Sequence, residues 1–234
     1  MGQLVWDASQ RRDHRSAHQY FDQAHAAARR VHDSTAAGLS LLRKSYVALY
    51  GQKNPKAGLA LTTQAAETTA RTSHVINALS TLHAAEAHAM MGEQAECEHA
   101  LDQAGQRFEL VSDDDVALDL FSPTQHGRLA GSCYLFLGEA GKAETILDTT
   151  AGRLRDRSKS EAIVLGNLTL ARLRQGKVDE AAATLHRAMD VIERTWGGGG
   201  LTIMFDACRE MRPWRTRTEV QDVHDRMLSL MATR

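Results

Sequence analysis

Proline occurs only three times in this 234-residue chain, at Pro55, Pro123 and Pro213. Aromatic residues make up 5% of it, and β-branched runs are sparse, so the ingredients of a sheet are missing. Cysteine is also scarce: Cys97, Cys133 and Cys208 are odd in number, far apart and without a C-x-x-C pair, which argues against a disulfide framework or a zinc ribbon. No apolar run reaches the eighteen residues of a membrane span, and Met1 to Asp7 carries neither a basic nor an apolar leader segment. A cytoplasmic location with reduced thiols is the expectation. Finally, the chain lacks an excess of either charge. A net charge of −1 gives no general electrostatic attraction to nucleic acid or to an anionic membrane.

What the chain has in quantity is alanine. Alanine-rich runs such as Ala24 to Ala28, Ala84 to Ala89 and Ala181 to Ala183 favour helix, and apolar residues recur at helical spacing almost throughout. The expected class is all-α. Leu4 to Arg12 reads as a first helix, and Asp13 to Val31 as a second with Ala17, Tyr20, Phe21, Ala24, Ala28 and Val31 on one face. Ser34 is read as the cap of a helix that runs to Tyr50 and ends at Gly51; Asn54-Pro55 turns into the next, and Thr72-Ser73 opens another that Gly92 closes. Because Leu4, Val5 and Trp6 look like helix interior, a preceding domain is expected.

The organising stretch is Gly131 to Leu147. Here Gly138 stands five residues before Ala143 and Leu147 four after it, as two tightly packed antiparallel helices joined by a glycine turn require. The same offsets return at Gly176, Ala181, Leu185 and Ala188. Small anchor residues then fall at Ala17, Gly58, Cys97, Ala143 and Ala181, spaced by 41, 39, 46 and 38. Five hairpins follow, at about 4–31, 34–70, 73–108, 123–155 and 158–195, with capping helices at 201–230. The widest step contains Asp113-Asp114-Asp115, read as a solvated acidic loop. The glycine run 197–200 is read as a flexible hinge.

Gly131, Tyr134, Gly138, Ala143 and Leu147, with Gly176, Ala181, Leu185 and Ala188, resemble the tetratricopeptide (TPR) repeat family. Thr150, Thr169 and Arg172 depart from its pattern. The resemblance implies a right-handed α-solenoid in one domain spanning residues 1–234. Gly2 to Asp13, Leu41 to Gly51 and His83 to Gly92 further resemble the C-terminal TPR half of actinobacterial helix-turn-helix transcriptional regulators. That likeness implies a sensing or partner-binding module and no catalytic residues.

In such arrays the first helix of each hairpin lines a concave groove. Carried onto this chain, the family's groove offsets fall on Arg43, Lys44, Tyr50, His83, Glu86, Met90, Arg128, Ser132, Asn167 and Arg174. Arg43, Arg128 and Asn167 would hold a peptide carboxylate or backbone, and Tyr50 and Met90 would supply apolar contact. The implied partner is a peptide, a protein segment or a small molecule, with homodimerisation admitted and with no cofactor, metal, membrane or direct nucleic-acid partner. The competing reading is a structural adaptor or dimerisation scaffold that works through its convex or terminal surfaces.

Other constellations are weaker. His14, His18, His25 and His32 would share a helix flank, which suits a metal stripe or, more simply, a solvated edge. His83 and His88 are five apart, one too many for a zinc-protease helix. No phosphate loop, calcium loop or nucleophile-histidine-acid set stands out.

Overall fold

The computed structural model describes residues 14–154, 159–195 and 199–232. Every regular element among them is helical. In order they are α1 (His14–Arg30), α2 (Ser34–Tyr46), α3 (Pro55–Thr69), α4 (His74–Met91), α5 (Gln94–Phe108), α6 (Gln125–Phe136), α7 (Ala140–Arg153), α8 (Lys159–Arg174), α9 (Val178–Thr195), α10 (Gly199–Glu210) and α11 (Thr218–Ala232). Short 3-10 turns occupy Leu118–Leu120 and Arg212–Trp214. The helix read at Leu4 to Arg12 lies outside the described residues. The chain is thus an α-solenoid-type array of helical hairpins, and it divides into two compact units, Met1–Leu129 and Ala130–Arg234, the division falling within α6.

In the first unit, consecutive helices α1 to α5 pack as neighbours, and α2 also meets α4. Leu41, Leu42, Val75, Ile76 and Leu79 form its core, with Phe108 and Phe121 in tilted ring contact at its edge, centroids 5.6 Å apart. In the second unit α8 packs against α7, α9 and α10, and α9 against α10 and α11. The C-terminal pair therefore covers the last hairpin as its position suggests, and Leu165, Leu168, Leu185, Met189, Ile192 and Met204 are fully buried beneath it.

The small anchors Ala17, Cys97, Ala143 and Ala181 are wholly buried. Five residues before an anchor, the chain turns through left-handed backbone in four hairpins: Gly92, Gly138 and Gly176 have φ of 77°, 80° and 75°, and Lys53 takes the same role at 51°. A Cβ costs energy in that region, which explains the glycines and marks Lys53 as the exception. Close approach explains a second set. A Cβ on Gly131 would lie 2.4 Å from Leu147, and one on Gly58 2.3 Å from Leu49.

Several local readings need correction. The cap of α2 is Asp33, whose carboxylate accepts from the Ala36 N–H at 2.8 Å; Ser34 is the first helical residue. The α-helical part of α2 stops at Tyr46, and the chain continues through a π turn, Val47–Gly51, closed by the Gln52 N–H on the Val47 carbonyl at 2.9 Å. Gly199 and Gly200 are helical rather than a hinge, and the close approach of Ala162, whose methyl would lie 2.7 Å from a Cβ on Gly200, accounts for the glycine there; Gly197 and Gly198 lie outside the described residues. Asp115 is no solvated bystander either. It accepts from the Ser73 hydroxyl at 2.7 Å, the Val75 N–H at 3.1 Å and the Ala117 N–H at 3.0 Å, so the long connection after α5 caps the start of α4. Partial burial works to raise the Asp115 pKa. Hydrogen bonds from Ala117, Ser73, Val75 and His74 outweigh it and hold the carboxyl below its ordinary range.

Two outcomes test this packing. Ala143→Leu forces a side chain between helices in close contact and should lower the unfolding free energy by about 1–3 kcal/mol in a denaturant titration. Asp115→Asn should cost about 1 kcal/mol at neutral pH. The depressed pKa makes the Asp115 contribution complete above the unfolded carboxyl value near about 4 and lost as pH falls through the lower folded value, so the variant should show a shallower acid limb of stability.

Candidate functional site

Each polar group on the first-helix face of the first unit is placed by a local feature of the fold. The π turn after α2 carries Tyr50, and α4 presents His83 and Glu86 one turn apart. Tyr50 is 49% exposed, yet its hydroxyl turns inward: it lies 2.8 Å from His83 Nδ1 and donates to Glu86 Oε2. His83 and Glu86 are both buried, with Nδ1 and Oε2 3.4 Å apart. Since the tyrosine proton goes to the carboxylate, a consistent network has His83 Nδ1–H donating to the tyrosine oxygen.

Tyr46 completes the cluster. Its ring centroid lies 4.6 Å from that of His83 and 6.0 Å from that of Tyr50. The sequence offers Tyr46 only as a core residue of its helix, and its role here was signalled solely by the i, i+4 spacing to Tyr50. Burial pushes the Tyr46 phenol up to about 12, against the lowering pull of the Arg128 and Arg43 charges. Burial, then the Glu86 charge and its hydrogen bond, raise Tyr50 well above the ordinary tyrosine value, with Arg128 opposing. Both phenols are therefore held neutral. They serve as donors and apolar surface, not as nucleophiles.

Arg43 is exposed on α2 and Arg128 is half-buried on α6. Neither guanidinium forms an ion pair with a described residue, while most of the chain's other site cations do. Lys44 is engaged with Asp22 on α1 at 2.5 Å, which ties α2 to its neighbour. Met90 is half-buried near the end of α4.

The second unit holds the remaining residues named from the sequence. Ser132 is half-buried on α6, and Asn167 is buried on α8. Arg174 donates to the Leu135 carbonyl at 2.8 Å and pairs with Glu210 at 3.0 Å, joining α8 to α6 and α10. The departure noted at Arg172 has a physical meaning: its guanidinium contacts Glu144 at 3.2 Å, Asp148 at 3.1 Å and the Thr184 hydroxyl at 2.5 Å, which locks α7, α8 and α9 together. Lys177 joins the same carboxylate at 2.5 Å. Burial would raise the Glu144 pKa, but Lys177, Gln175 and Arg172 hold it low.

His83 and His88 diverge as their spacing requires, His88 pairing with Glu93 at 2.6 Å. In the histidine flank, His25 Nδ1 is 3.2 Å from the Ala37 carbonyl. Among the described residues no group of three or more histidine, cysteine or acidic side chains is arranged to hold a metal, and no helix is long and apolar enough to cross a membrane.

No family model matches the chain, and no curated protein sequence does. Among solved structures, it is similar to two crystal structures of nearly identical TPR-like repeats from a protein assigned as a Podosopora anserina kinesin light chain. One, a single-substitution variant, superposes with a TM-score of 0.55 at 16% identity over 82% of this chain and 92% of that one. The other gives 0.53 at 16% identity over 84% and 95%. At this identity the likeness is one of fold, and the class it defines is the TPR-like helical-hairpin array.

An alkaline titration checks the phenol environment. A folded state with raised tyrosine pKa values keeps that stabilisation below the unfolded value near about 10 and loses it as pH rises through the folded value. Tyr50→Phe should remove one late-ionising phenol from the tyrosinate absorbance titration and lower stability by about 1–2 kcal/mol, since it removes the Tyr50 hydroxyl's hydrogen bond to the buried Glu86.

Proposed function

We propose that the chain is a non-catalytic, partner-binding repeat protein whose site is the first-helix face of the first unit, and that its occupant is a peptide or protein segment presenting a carboxylate. The observation that carries this reading is the pair of guanidiniums, Arg43 and Arg128, that form no ion pair with a described residue and stand beside a fixed Tyr46–Tyr50–His83–Glu86 cluster. An unpaired arginine on a structured face is available for a bidentate charge-assisted bond. Exposed Tyr50 and half-buried Met90 offer apolar contact to the residues flanking the carboxylate.

Neutral phenols and a committed histidine supply positioning rather than a nucleophile, which favours binding over catalysis. The likeness of Leu41 to Gly51 and His83 to Gly92 to the TPR half of helix-turn-helix regulators covers the segments that build this face. We therefore assign the module to the sensing part of a cytoplasmic transcriptional system. Ser132, Asn167 and Arg174 lie in the second unit and form no part of this site.

A peptide array with free and amidated C-termini tests the assignment. The wild-type protein should retain a subset of free-carboxylate peptides, and combined Arg43→Ala and Arg128→Ala should weaken them by about tenfold or more. Equal retention by the double variant, with helical content unchanged, would sink this site and favour a scaffold that works through other surfaces.

A further inference from the structure

A separate concavity lies at the opposite sequence edge of the first unit, where α1 ends and α2 begins. The chain leaves α1 at Arg30 and enters α2 at Ser34, and between them His32 adopts φ 56°, a left-handed conformation that non-glycine residues avoid. The tight exit is closed by the Asp33 N–H on the Ala28 carbonyl at 3.0 Å. Beside it opens a cleft of about 400 Å³ whose walls include His25, Arg29, His32, Asp33, Ser34 and Gln64.

The donors in this cleft outnumber the acceptors. Among the described residues Arg29, His25 and His32 form no ion pair, and the Ser34 hydroxyl and the Gln64 side chain make no hydrogen bond. His25 is oriented by the Ala37 carbonyl at 3.2 Å, which fixes one ring nitrogen and leaves the other directed elsewhere. The lone carboxylate, Asp33, already accepts from the Ala36 N–H at 2.8 Å. The first N–H groups of α2 add positive potential on the same side. Three unpaired cationic or cationisable groups around one concavity are a setting for an anion of more than one oxygen, and phosphate meets that need.

The rest of the lining narrows the class. The cleft has no phenylalanine, tyrosine or tryptophan in its lining, and Ala37 is its one apolar wall residue. Hydroxyl and carboxamide groups surround it instead, together with a carboxylate able to accept from a ligand hydroxyl. We propose that this cleft binds a phosphorylated polyol of the sugar-phosphate kind, with Arg29 and His32 on the phosphate and Gln64, Ser34 and Asp33 on the hydroxyls. The site is independent of the peptide face, since Arg43 and Arg128 take no part in its lining.

Calorimetry on the whole chain with ribose 5-phosphate, inorganic phosphate and ribose as probes tests the proposal. Ribose 5-phosphate should bind saturably and at least tenfold more tightly than either fragment, and Arg29→Ala should weaken it by tenfold or more. His32→Gly is the decisive variant, because glycine relaxes the positive φ: its melting temperature should hold or rise while the affinity falls. Arg43→Ala should leave the affinity unchanged, which separates this site from the peptide face. No saturable heat, affinity retained in both Arg29→Ala and His32→Gly, or equal binding of ribose alone would overturn the proposal; inorganic phosphate binding as tightly as ribose 5-phosphate would overturn the sugar assignment.

Discussion

Leu49 can sink into the first unit only because residue 58 has no side chain. A Cβ at Gly58 would sit 2.3 Å from the Leu49 δ carbon, and Leu49 is 1% exposed in the space so provided. Leu49 lies in the π turn after α2, and the next residue is Tyr50. Seating the leucine therefore helps to set the turn that aims the tyrosine hydroxyl at His83 and Glu86. π turns inside helices are frequent where a side chain must be re-aimed, because one extra residue rotates everything after it. The same constraint, close approach at a residue of minimal size, recurs between Gly131 and Leu147 in the second unit. Small residues here are what let the helices meet, and the polar cluster depends on one of those meetings.

Electrostatics divides the arginines by task. Arg172, Arg174 and Arg226 are consumed by the fold: each spans two or three helices, Arg226 pairing with Asp190 at 2.5 Å and Glu193 at 3.0 Å. Exposed pairs of this kind contribute little individually, whereas a guanidinium shared among several acceptors fixes helix register. Arg43 and Arg128 have no such duty among the described residues. This contrast, rather than arginine content, separates a candidate site from scaffold.

Tyr50, His83 and Glu86 came to notice as separate positions on the first helices of two hairpins, at offsets borrowed from a resemblance. Nothing in their spacing says that they touch, because 33 and 36 residues separate the tyrosine from its partners. Tyr46 and Asp115 were invisible as functional or structural actors for a related reason. A tyrosine at a helical core position and an aspartate in an acidic run each have a bland local reading, and only long-range neighbours such as His83 and Ser73 give them work. Arg174 shows the reverse: its offset suits a groove, while its neighbours Leu135 and Glu210 engage it in packing.

By itself the sequence determined the periodic part of this protein. Alanine-rich helices, hairpin turns through left-handed glycines at 92, 138 and 176, and buried anchors at 97, 143 and 181 all follow from short-range rules, since a turn or a helix contact is specified within about one helical repeat. Tertiary structure alone decided the exceptions. The π turn that places Tyr50, the reach of Asp115 back to the start of α4 and the helical setting of Gly200 each depend on a neighbour in another segment, Gly58, Ser73 and Ala162 in turn. Packing is resolved between segments that the sequence presents far apart, and that is where local pattern ceases to carry information.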